Sequence, residues 1–298
     1  MMATAFCPAH ITGFFKAELG KEDFKQLGSL GAGFSIQKGV KTTVTIRNKT
    51  KHDISNFAIK VNGFESGDMR VSEVVLNKFS TKGKFVDIIH EIDVPVGYGF
   101  GSSAAVALSL SIALNDALEC KLSKIKVAQI AHDVEIECKT GLGDVLASYY
   151  GGFEIRDKPG APGIGHVQKI TLDKISIIMI CFSPISTSKF IKEKLSQING
   201  LGGKMVNELL ESKNYEHFQE MSLEFAKYVN VMTPRMQKVV NQLSKNNIKC
   251  GIALFGETIF SMIPKENESK ILKILEKYSD GIIIKSELDN TGARILYN

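Results

Sequence analysis

The stretch that decides the fold is VPVGYGFGSSAAVALSLSIALN, residues 94–115. Its glycines lead into two serines and then into a segment that is apolar on almost every helical face. Glycine lets backbone N–H groups approach an anion closely, and the first turn of a helix adds unpaired donors and partial positive charge. The pattern therefore predicts a phosphate-binding loop that opens a buried helix. The residues of this loop are Pro95, Gly97, Gly99, Gly101, Ser102, Ser103 and Ala104.

Two common nucleotide-binding motifs do not fit the loop. A P-loop requires a GK[ST] sequence, which the chain does not contain. The dinucleotide fingerprint requires GxGxxG and a following strand that ends in an acidic residue, but the spacing here is GxGxG. The next element is instead predicted to be a second helix that begins after Ser123. A glycine-rich helix cap that binds no ligand remains the structural alternative.

Three chemically active residues follow the loop. Ser123 is a suitable N-cap for a helix over 124–138, on which His132 and Glu135 stand three residues apart and project from the same side. Asp144 lies between a glycine-bearing turn and an apolar helical start. Taken alone, these residues can equally be a buried structural histidine, a solvated helix charge and an N-cap aspartate.

Composition limits the classes of function. The 298 residues carry a net charge of +5, with no cluster of lysine, arginine and aromatic residues, so a nucleic-acid partner is not expected. No apolar run reaches the length that spans a bilayer, so we expect no membrane partner. The N-terminal residues do not resemble a signal peptide, which predicts a cytoplasmic location. The five scattered cysteines fit neither a disulfide framework nor a zinc site.

The chain changes character near residue 167, which predicts two α+β domains, 1–167 and 168–298. The first should contain strands over 42–47 and 85–94. The second should contain helices over 215–229 and from Pro234, and then strands, a helix and a strand over 250–255, 258–263, 268–278 and 281–285. The segment 157–165 carries two prolines and three glycines and is predicted to be an irregular loop.

The spacing P-x-G-x-G-x-G-S-S-A-A resembles the second motif of the GHMP kinases, the superfamily of galactokinase, homoserine kinase and mevalonate kinase. Three further segments together resemble the archaeal pantoate kinases within that superfamily. They are PAHITGFF (8–15), GSLGAGFSIQKG (28–39) and GGFEIRDKPGAPGIG (151–165). The third GHMP motif is only weakly present, as CGIALFGETIF (250–260).

The resemblance implies a two-domain α+β fold, with an N-terminal part like ribosomal S5 domain 2 and a ferredoxin-like C-terminal part. It implies phosphorylation of pantoate by ATP at the 4-hydroxyl, a step of coenzyme A biosynthesis that requires Mg²⁺. A kinase for another small metabolite, such as homoserine or mevalonate, is the alternative. A non-catalytic nucleotide-binding regulator is a second alternative, and a homodimer is left open.

The resemblance also implies roles for individual residues. The loop from Pro95 to Ala104 would bind ATP, with Ser103 and Glu135 serving the metal. Asp144 would be the catalytic base, with Glu135 beside it. Arg156 offers the two-pronged donor that a carboxylate prefers, and Ser29 sits in a glycine turn where its hydroxyl can bind an oxygen. Ser29, His132 and Arg156 are therefore the predicted substrate-binding residues.

Overall fold

Two very long N-terminal strands, rich in small and apolar residues, form the centre of the first sheet. The computed structural model describes residues 1–64 and 68–297, apart from the side chain of Ser188. The strands of this sheet are β1 (Met2–Glu18), β2 (Gly28–Asn48), β3 (Phe57–Gly63), β4 (Lys84–Ile92), β5 (Phe153–Lys158), β6 (His166–Ile170) and, from the end of the chain, β11 (Arg294–Leu296). Their order is β11-β1-β2-β4-β3, with β5 paired to β2 and to β6. The β3–β4 pair is parallel and the other pairs are antiparallel.

Four α-helices lie between β3 and β5 in the described part of the chain. They are α1 (Arg70–Asn77), α2 (Ser102–Ala117), α3 (Lys124–Cys138) and α4 (Asp144–Tyr150). Helix α2 packs on β1 and β2 and is itself covered by α1, α3 and α4. This placement explains why its sequence is apolar all round, and it confirms the predicted buried helix. The helix-to-helix connection through α2, α3 and α4 also excludes a doubly wound parallel sheet here.

The second sheet has the topology of a ferredoxin-like unit. Its strands are β7 (Ile175–Pro184), β8 (Gly251–Ala253), β9 (Gly256–Pro264) and β10 (Ile282–Glu287), in the order β10-β7-β9-β8. The helices are α5 (Thr187–Ser212), α6 (Tyr215–Tyr228) and α7 (Pro234–Ser244) between β7 and β8, and α8 (Glu268–Leu275) between β9 and β10. All neighbouring strands are antiparallel. The mixed α+β fold predicted from the sequence is thus confirmed.

The two sheets share one core. Phe14 of β1 packs against Phe218 and Phe225 of α6, with ring centroids 5.9 and 6.4 Å apart. β6 and β11 both belong to the first sheet, although their residues lie partly or wholly beyond 167. The domain division at 167 stays a prediction. The predicted loop 157–165 is wrong at its start, because β5 continues to Lys158 before the glycines and prolines end it. No helix in the described ranges is long and apolar enough to cross a membrane.

Candidate active site

The glycine loop connects β4 to α2, as the sequence predicts. Pro95 is buried, and Gly97, Gly99 and Gly101 all have positive φ angles, 84°, 86° and 55°. Gly101 is the N-cap of α2 and adopts the left-handed conformation. Helix α2 begins at Ser102, so its unpaired N–H groups belong to residues of the predicted ATP-binding set. Ala104, the last of that set, is fully buried in the first turn of the helix.

The weak third motif supports this loop from the second sheet. A Cβ at residue 99 would lie 2.4 Å from the carbonyl oxygen of Leu254, so the close approach requires glycine. The hydroxyl of Thr258 donates a hydrogen bond of 2.8 Å to the carbonyl of Tyr98. The amide of Ile185 donates to the carbonyl of Gly97 at 2.9 Å. The β8–β9 turn and the end of β7 therefore hold the loop backbone in its conformation.

Ser103 and Glu135 meet at the start of α2. The hydroxyl of Ser103 donates to Oε2 of Glu135 at 3.2 Å, and the hydroxyl of Thr140 donates to Oε1 at 2.5 Å. Glu135 is only 2% exposed. Its burial raises the pKa of the carboxyl to about 7, helped by the charge of Asp144 and opposed by the hydrogen bonds from Thr140 and Ser103. A cation bound beside this carboxyl would favour its ionised form and lower its pKa.

The donor set around Glu135 fits a magnesium ion. A Cβ at residue 141 would lie 2.3 Å from Oε2 of Glu135 and 3.3 Å from Oδ2 of Asp144, so the two carboxylates flank one small space. Mg²⁺ in phosphoryl-transfer sites is held by one or two carboxylates, and substrate phosphates and water complete its shell. The described residues contain no cluster of three or more histidine, cysteine or acidic side chains that could hold a metal by themselves. A site of this kind would therefore need a phosphate ligand.

Asp144 is the first residue of α4, but it does not cap that helix. Gly143 occupies the N-cap position, and no side chain caps the helix by a hydrogen bond. Oδ1 of Asp144 lies 2.8 Å from Nδ1 of His10 and accepts from the hydroxyl of Thr12 at 3.4 Å. Burial favours the neutral carboxyl, but the hydrogen bond from His10 and the charges of His10 and Arg156 outweigh it and hold the pKa of Asp144 below its ordinary value. Its side chain is 15% exposed and can receive a proton from a bound group.

Arg156 is fully enclosed between β1, β2 and β5. Its Nη1 donates to Oε1 of Glu154 at 2.5 Å, and its Nη2 donates to the hydroxyl of Thr12 at 3.5 Å. Its Nε is buried and has no hydrogen-bond partner among the described residues. A guanidinium N–H that is left buried and unpaired is costly, so this donor is available to a bound oxygen.

Two glycines of the SLGAG segment make room for these side chains. A Cβ at residue 31 would lie 2.7 Å from Nη2 of Arg156, and a Cβ at residue 33 would lie 2.5 Å from Nε2 of His10. Both contacts are shorter than a real Cβ tolerates, so β2 can carry no larger residue at Gly31 or Gly33. Their spacing of two places both gaps on one face of the strand.

A small pocket opens beside Asp144. Thr12, Ser29 and Thr187 supply its hydroxyl groups, and Ser29 is only 3% exposed. A Cβ at residue 143 would lie 2.3 Å from Oγ of Ser29 and 2.9 Å from Nε of Arg156, so the two predicted substrate-binding groups face the same glycine. The apolar wall of the pocket consists of Phe15, Leu142, Ile191 and Phe255.

His132 lies on the same helix as Glu135 but has backbone partners. Its Nε2 lies 3.1 Å from the carbonyl oxygens of both Phe24 and Leu27, and the side chain is 1% exposed. These bonds secure the short helix over Phe24–Gln26, which leads into the strand that carries Ser29. A contact between His132 and a substrate stays a prediction.

Four residues of this cluster were not predicted from the sequence. His10, Thr12, Thr140 and Glu154 complete the hydrogen bonds around Asp144, Glu135 and Arg156. His10 is a polar residue in a largely apolar part of β1, and Glu154 shares a face of β5 with Arg156 because they are two residues apart. Buried polar residues in strands were the available signal, but the pairing of β1, β2 and β5 could not be read from one sequence.

A second pocket lies beside the start of α2. Its polar lining residues are Asp68, Ser72, His90, Ser102, Ser103 and Thr140. The rest of its lining is apolar and comes from Val61, Met69, Val71, Ile92, Val96 and Val106. The first turn of α2 therefore borders a largely apolar pocket that is distinct from the small pocket beside Asp144.

Comparisons with known proteins place the chain in a family. Residues 69–152, which include the glycine loop, Glu135 and Asp144, match the family described as "GHMP kinases N terminal domain". The pantoate kinase of Methanocaldococcus jannaschii is 34% identical over 276 residues, which cover 91% of this chain and 96% of that protein. The pantoate kinase of Thermococcus kodakarensis is 29% identical over 279 residues, 92% of each chain.

Solved structures show the same fold. A structure titled "Phosphotransferase related to CoA biosynthesis pathway" superposes with a TM-score of 0.88 at 27% identity and covers 99% of this chain and 98% of its own. Homoserine kinase from Cytophaga hutchinsonii superposes with a TM-score of 0.67 at 17% identity, over 99% of this chain and 97% of its own, and supports the fold alone. From the extent and the identity of these matches, the chain belongs to the pantoate kinase family of the GHMP kinases.

Proposed function

We propose that this protein transfers the γ-phosphoryl group of ATP to the 4-hydroxyl of pantoate, giving 4-phosphopantoate for coenzyme A biosynthesis. The observation that carries the proposal is that Asp144 lines a small pocket with Gly143, and that the unpartnered Nε of Arg156 faces the same glycine. Pantoate is a short dihydroxy acid, so one end needs a base and the other needs a carboxylate partner. The names of the relatives support the same substrate.

Arg156 and Ser29 would hold the carboxylate end of the substrate. The planar guanidinium matches a carboxylate, and charge-assisted hydrogen bonds are stronger than neutral ones. Ser29 can donate to the carboxylate or to the 2-hydroxyl, since its hydroxyl faces the same glycine as Arg156. Phe15 and Ile191 give an apolar surface for the geminal methyl groups.

Asp144 would orient the 4-hydroxyl and accept its proton. A primary alcohol is a weak acid, so its proton must leave as the new P–O bond forms. The carboxylate is kept ionised by its neighbours, and it adjoins the glycine loop because a Cβ at residue 101 would lie 3.3 Å from Cγ of Asp144. The attacking oxygen and the phosphate loop are thereby close together.

The glycine loop and the first turn of α2 would hold the triphosphate. Their backbone N–H groups and the helix dipole favour negative charge at this point. Ser103 and Glu135 would hold the magnesium ion, which neutralises the charge of the phosphate groups when it is bound. The largely apolar pocket beside Ser102 and Ser103 would take the nucleotide base.

The test is an ADP-release assay with pantoate, pantothenate, homoserine and mevalonate. We expect pantoate to be turned over far better than the others, because each of them leaves a polar group of the pocket unpaired. Pantothenate is the sharpest comparison, since it has an amide in place of the carboxylate. Equal turnover of pantothenate and pantoate would contradict the proposed role of Arg156.

The position of phosphorylation can be read from the product. In a proton-coupled phosphorus NMR spectrum, a phosphate on the 4-oxygen couples to two methylene protons and gives a triplet. A phosphate on the 2-oxygen couples to one proton and gives a doublet. We expect the triplet, and the Asp116→Asn variant, altered at an exposed residue of α2, should give the same product.

A further inference from the structure

One buried carboxylate joins the two ends of the proposed substrate site. Oε1 of Glu154 lies 2.5 Å from Nη1 of Arg156 and 2.9 Å from Nε2 of His10. Nδ1 of His10 in turn lies 2.8 Å from Oδ1 of Asp144. His10 and Glu154 are both fully buried. A continuous set of polar contacts therefore runs from the predicted base to the predicted carboxylate-binding arginine.

We propose that Glu154 and His10 are positioning residues, which keep a charged imidazole between Asp144 and Glu154 and so fix the separation of Asp144 from Arg156. Because these two groups would act on opposite ends of the substrate, their separation selects the length of the acid that is phosphorylated. The proposal rests on the proposed function for the roles of Asp144 and Arg156. The charge of the imidazole does not depend on that function and can be measured separately.

The shortest polar contact of each ring nitrogen of His10 is with a carboxylate oxygen, which favours a proton on both nitrogens. Nη1 of Arg156 lies farther from Nε2, at 3.4 Å, and donates to Glu154 instead. Both nitrogens face carboxylate oxygens, which only accept hydrogen bonds, and a neutral imidazole has only one N–H to donate. Charge balance gives the same answer. Protonated His10 and Arg156 offset Asp144 and Glu154, whereas a neutral imidazole would leave one uncompensated negative charge in the interior.

The carboxylates of Asp144 and Glu154 make the shortest polar contacts with the His10 ring. Asp144 faces it from α4, Glu154 and Arg156 face it from β5, and Thr12 lies 3.4 Å away on its own strand. Burial lowers the pKa of His10, but the hydrogen bonds with Asp144 and Glu154 outweigh burial and raise the pKa above its ordinary value. The two carboxylates therefore favour the charged form of the imidazole.

Burial of Glu154 costs desolvation free energy, which a purely structural role does not explain. Its second oxygen, Oε2, is buried and accepts no hydrogen bond from any residue that the structure describes. Buried ion clusters contribute little net stability compared with apolar packing of similar volume. A structural role predicts that Glu154→Gln alters stability alone, while a positioning role predicts altered kinetics and an altered pH profile.

The first experiment is nitrogen-15 NMR of the histidine rings in the wild-type protein at pH 7. The signal of His10 is identified by its absence from the spectrum of His10→Gln. We expect both ring nitrogens to be protonated. A His10 ring with one unprotonated nitrogen at pH 7 would overturn the proposal. The measurement needs no substrate, and it tests the proposal even when Glu154→Gln does not fold.

The second experiment compares Glu154→Gln with Glu91→Gln, which alters an exposed carboxylate paired with Lys41. In Glu154→Gln we expect kcat with pantoate to fall by about 10- to 100-fold, the range typical for removing a partner that orients a functional group. KM for pantoate should rise, and the basic limb of the pH profile should move to lower pH because His10 loses its proton more easily. Glu91→Gln should behave as the wild type.

The two experiments separate this proposal from the proposed function. Wild-type kcat, KM and pH profile in a folded Glu154→Gln protein would overturn the positioning role while leaving the pantoate kinase activity intact. A protein that is inactive on pantoate but contains doubly protonated His10 would count against the proposed function and for the charged imidazole.

Discussion

The hydroxyl of Ser103 donates a hydrogen bond to Oε2 of Glu135 at 3.2 Å, so the first turn of α2 and the last turns of α3 meet at the proposed metal site. The two residues lie 32 positions apart in the sequence. Only the packing of α3 against α2 brings them together. The contact joins the phosphate loop to the carboxylate that would bind magnesium.

Glu135→Gln should weaken turnover strongly, with the largest loss at limiting Mg²⁺. The amide keeps the size of the side chain. Its oxygen can accept from one of the two hydroxyls of Ser103 and Thr140, and its NH2 group can donate to the other, so the fold should remain intact. It lacks the charge that a magnesium ligand needs. Initial rates over a series of Mg²⁺ concentrations measure the effect.

The matched control is Glu137→Gln, two residues further along α3. Glu137 is exposed and pairs with Lys78 at 2.7 Å. Exposed pairs contribute little, so this variant should keep both its Mg²⁺ dependence and its stability. If Glu135→Gln also keeps full activity at limiting Mg²⁺, its proposed metal role is wrong.

Arg156→Ala should raise KM for pantoate while the KM for ATP changes little. Loss of the guanidinium removes the proposed carboxylate partner, and truncation of a buried charge pair costs about 2 to 4 kcal/mol in transition-state stabilisation. The structure adds a second effect, because Glu154 would stay buried without its Arg156 partner and the variant should also be less stable.

Arg156→Lys separates these two effects. Lysine keeps the positive charge beside Glu154 but offers no planar pair of donors to a carboxylate. We expect it to recover much of the melting temperature and little of the pantoate affinity. Full recovery of pantoate KM in Arg156→Lys would contradict two-pronged recognition by arginine.

A buried histidine in the lining of the proposed nucleotide pocket should make stability depend on pH. His90 is 1% exposed, and its ring nitrogens lie 2.8 Å from the hydroxyl of Thr42 and 3.0 Å from that of Ser72. Burial lowers the pKa of His90 from 6.5 to about 4. The unfolded chain therefore binds a proton at this residue at higher pH than the folded protein does.

The direction of the pH dependence follows from this difference in pKa between the folded and unfolded chain. Stability from neutral His90 is fully present above pH 6.5 and is lost as the pH falls through about 4. The full loss is about 3 kcal/mol in the free energy of unfolding. Urea unfolding of the wild type and of His90→Gln between pH 7.5 and pH 4 measures it, because the glutamine cannot take up a proton. Parallel pH dependence in the two proteins would show that His90 does not cause the loss.

The sequence predicted those parts of the site that lie in one continuous segment. The glycine loop, the N-cap of α3 at Ser123 and the start of α4 at Asp144 all follow from local patterns, and the structure has them where predicted. The strands predicted over 250–255 and 258–263 are present as β8 and β9, but the turn between them lies at 254–255, two residues earlier than predicted. The support that this hairpin gives to Gly99 was not predicted, because the contact depends on how the two sheets pack.

Contacts between strands that are distant in the sequence could not be predicted from local sequence patterns. His10 lies in β1, Asp144 in α4 and Glu154 in β5. The strands β1 and β5 are brought together only because β2 pairs with both of them. Gly31 and Gly33 contributed to the prediction only as part of a segment that resembles the pantoate kinases. Their physical role is to leave space for the side chains of Arg156 and His10. Burial of His132 against backbone carbonyls likewise depends on the folded position of 24–27.

The last prediction concerns Asp144, whose proposed role as base competes with a structural role at the start of α4. Because Gly143 is the N-cap, Asp144→Asn removes no capping bond, and the asparagine oxygen can still accept from His10. The variant loses the carboxylate that would take the proton. We therefore expect kcat to fall by roughly 10² to 10⁴, the range for loss of general-base catalysis, with only a small change in melting temperature. Measurement of kcat and thermal unfolding on this variant, beside Asp116→Asn as an exposed control, distinguishes the two roles. A fully active Asp144→Asn enzyme would remove the assignment of Asp144 as base, and a destabilised but active one would favour the structural role.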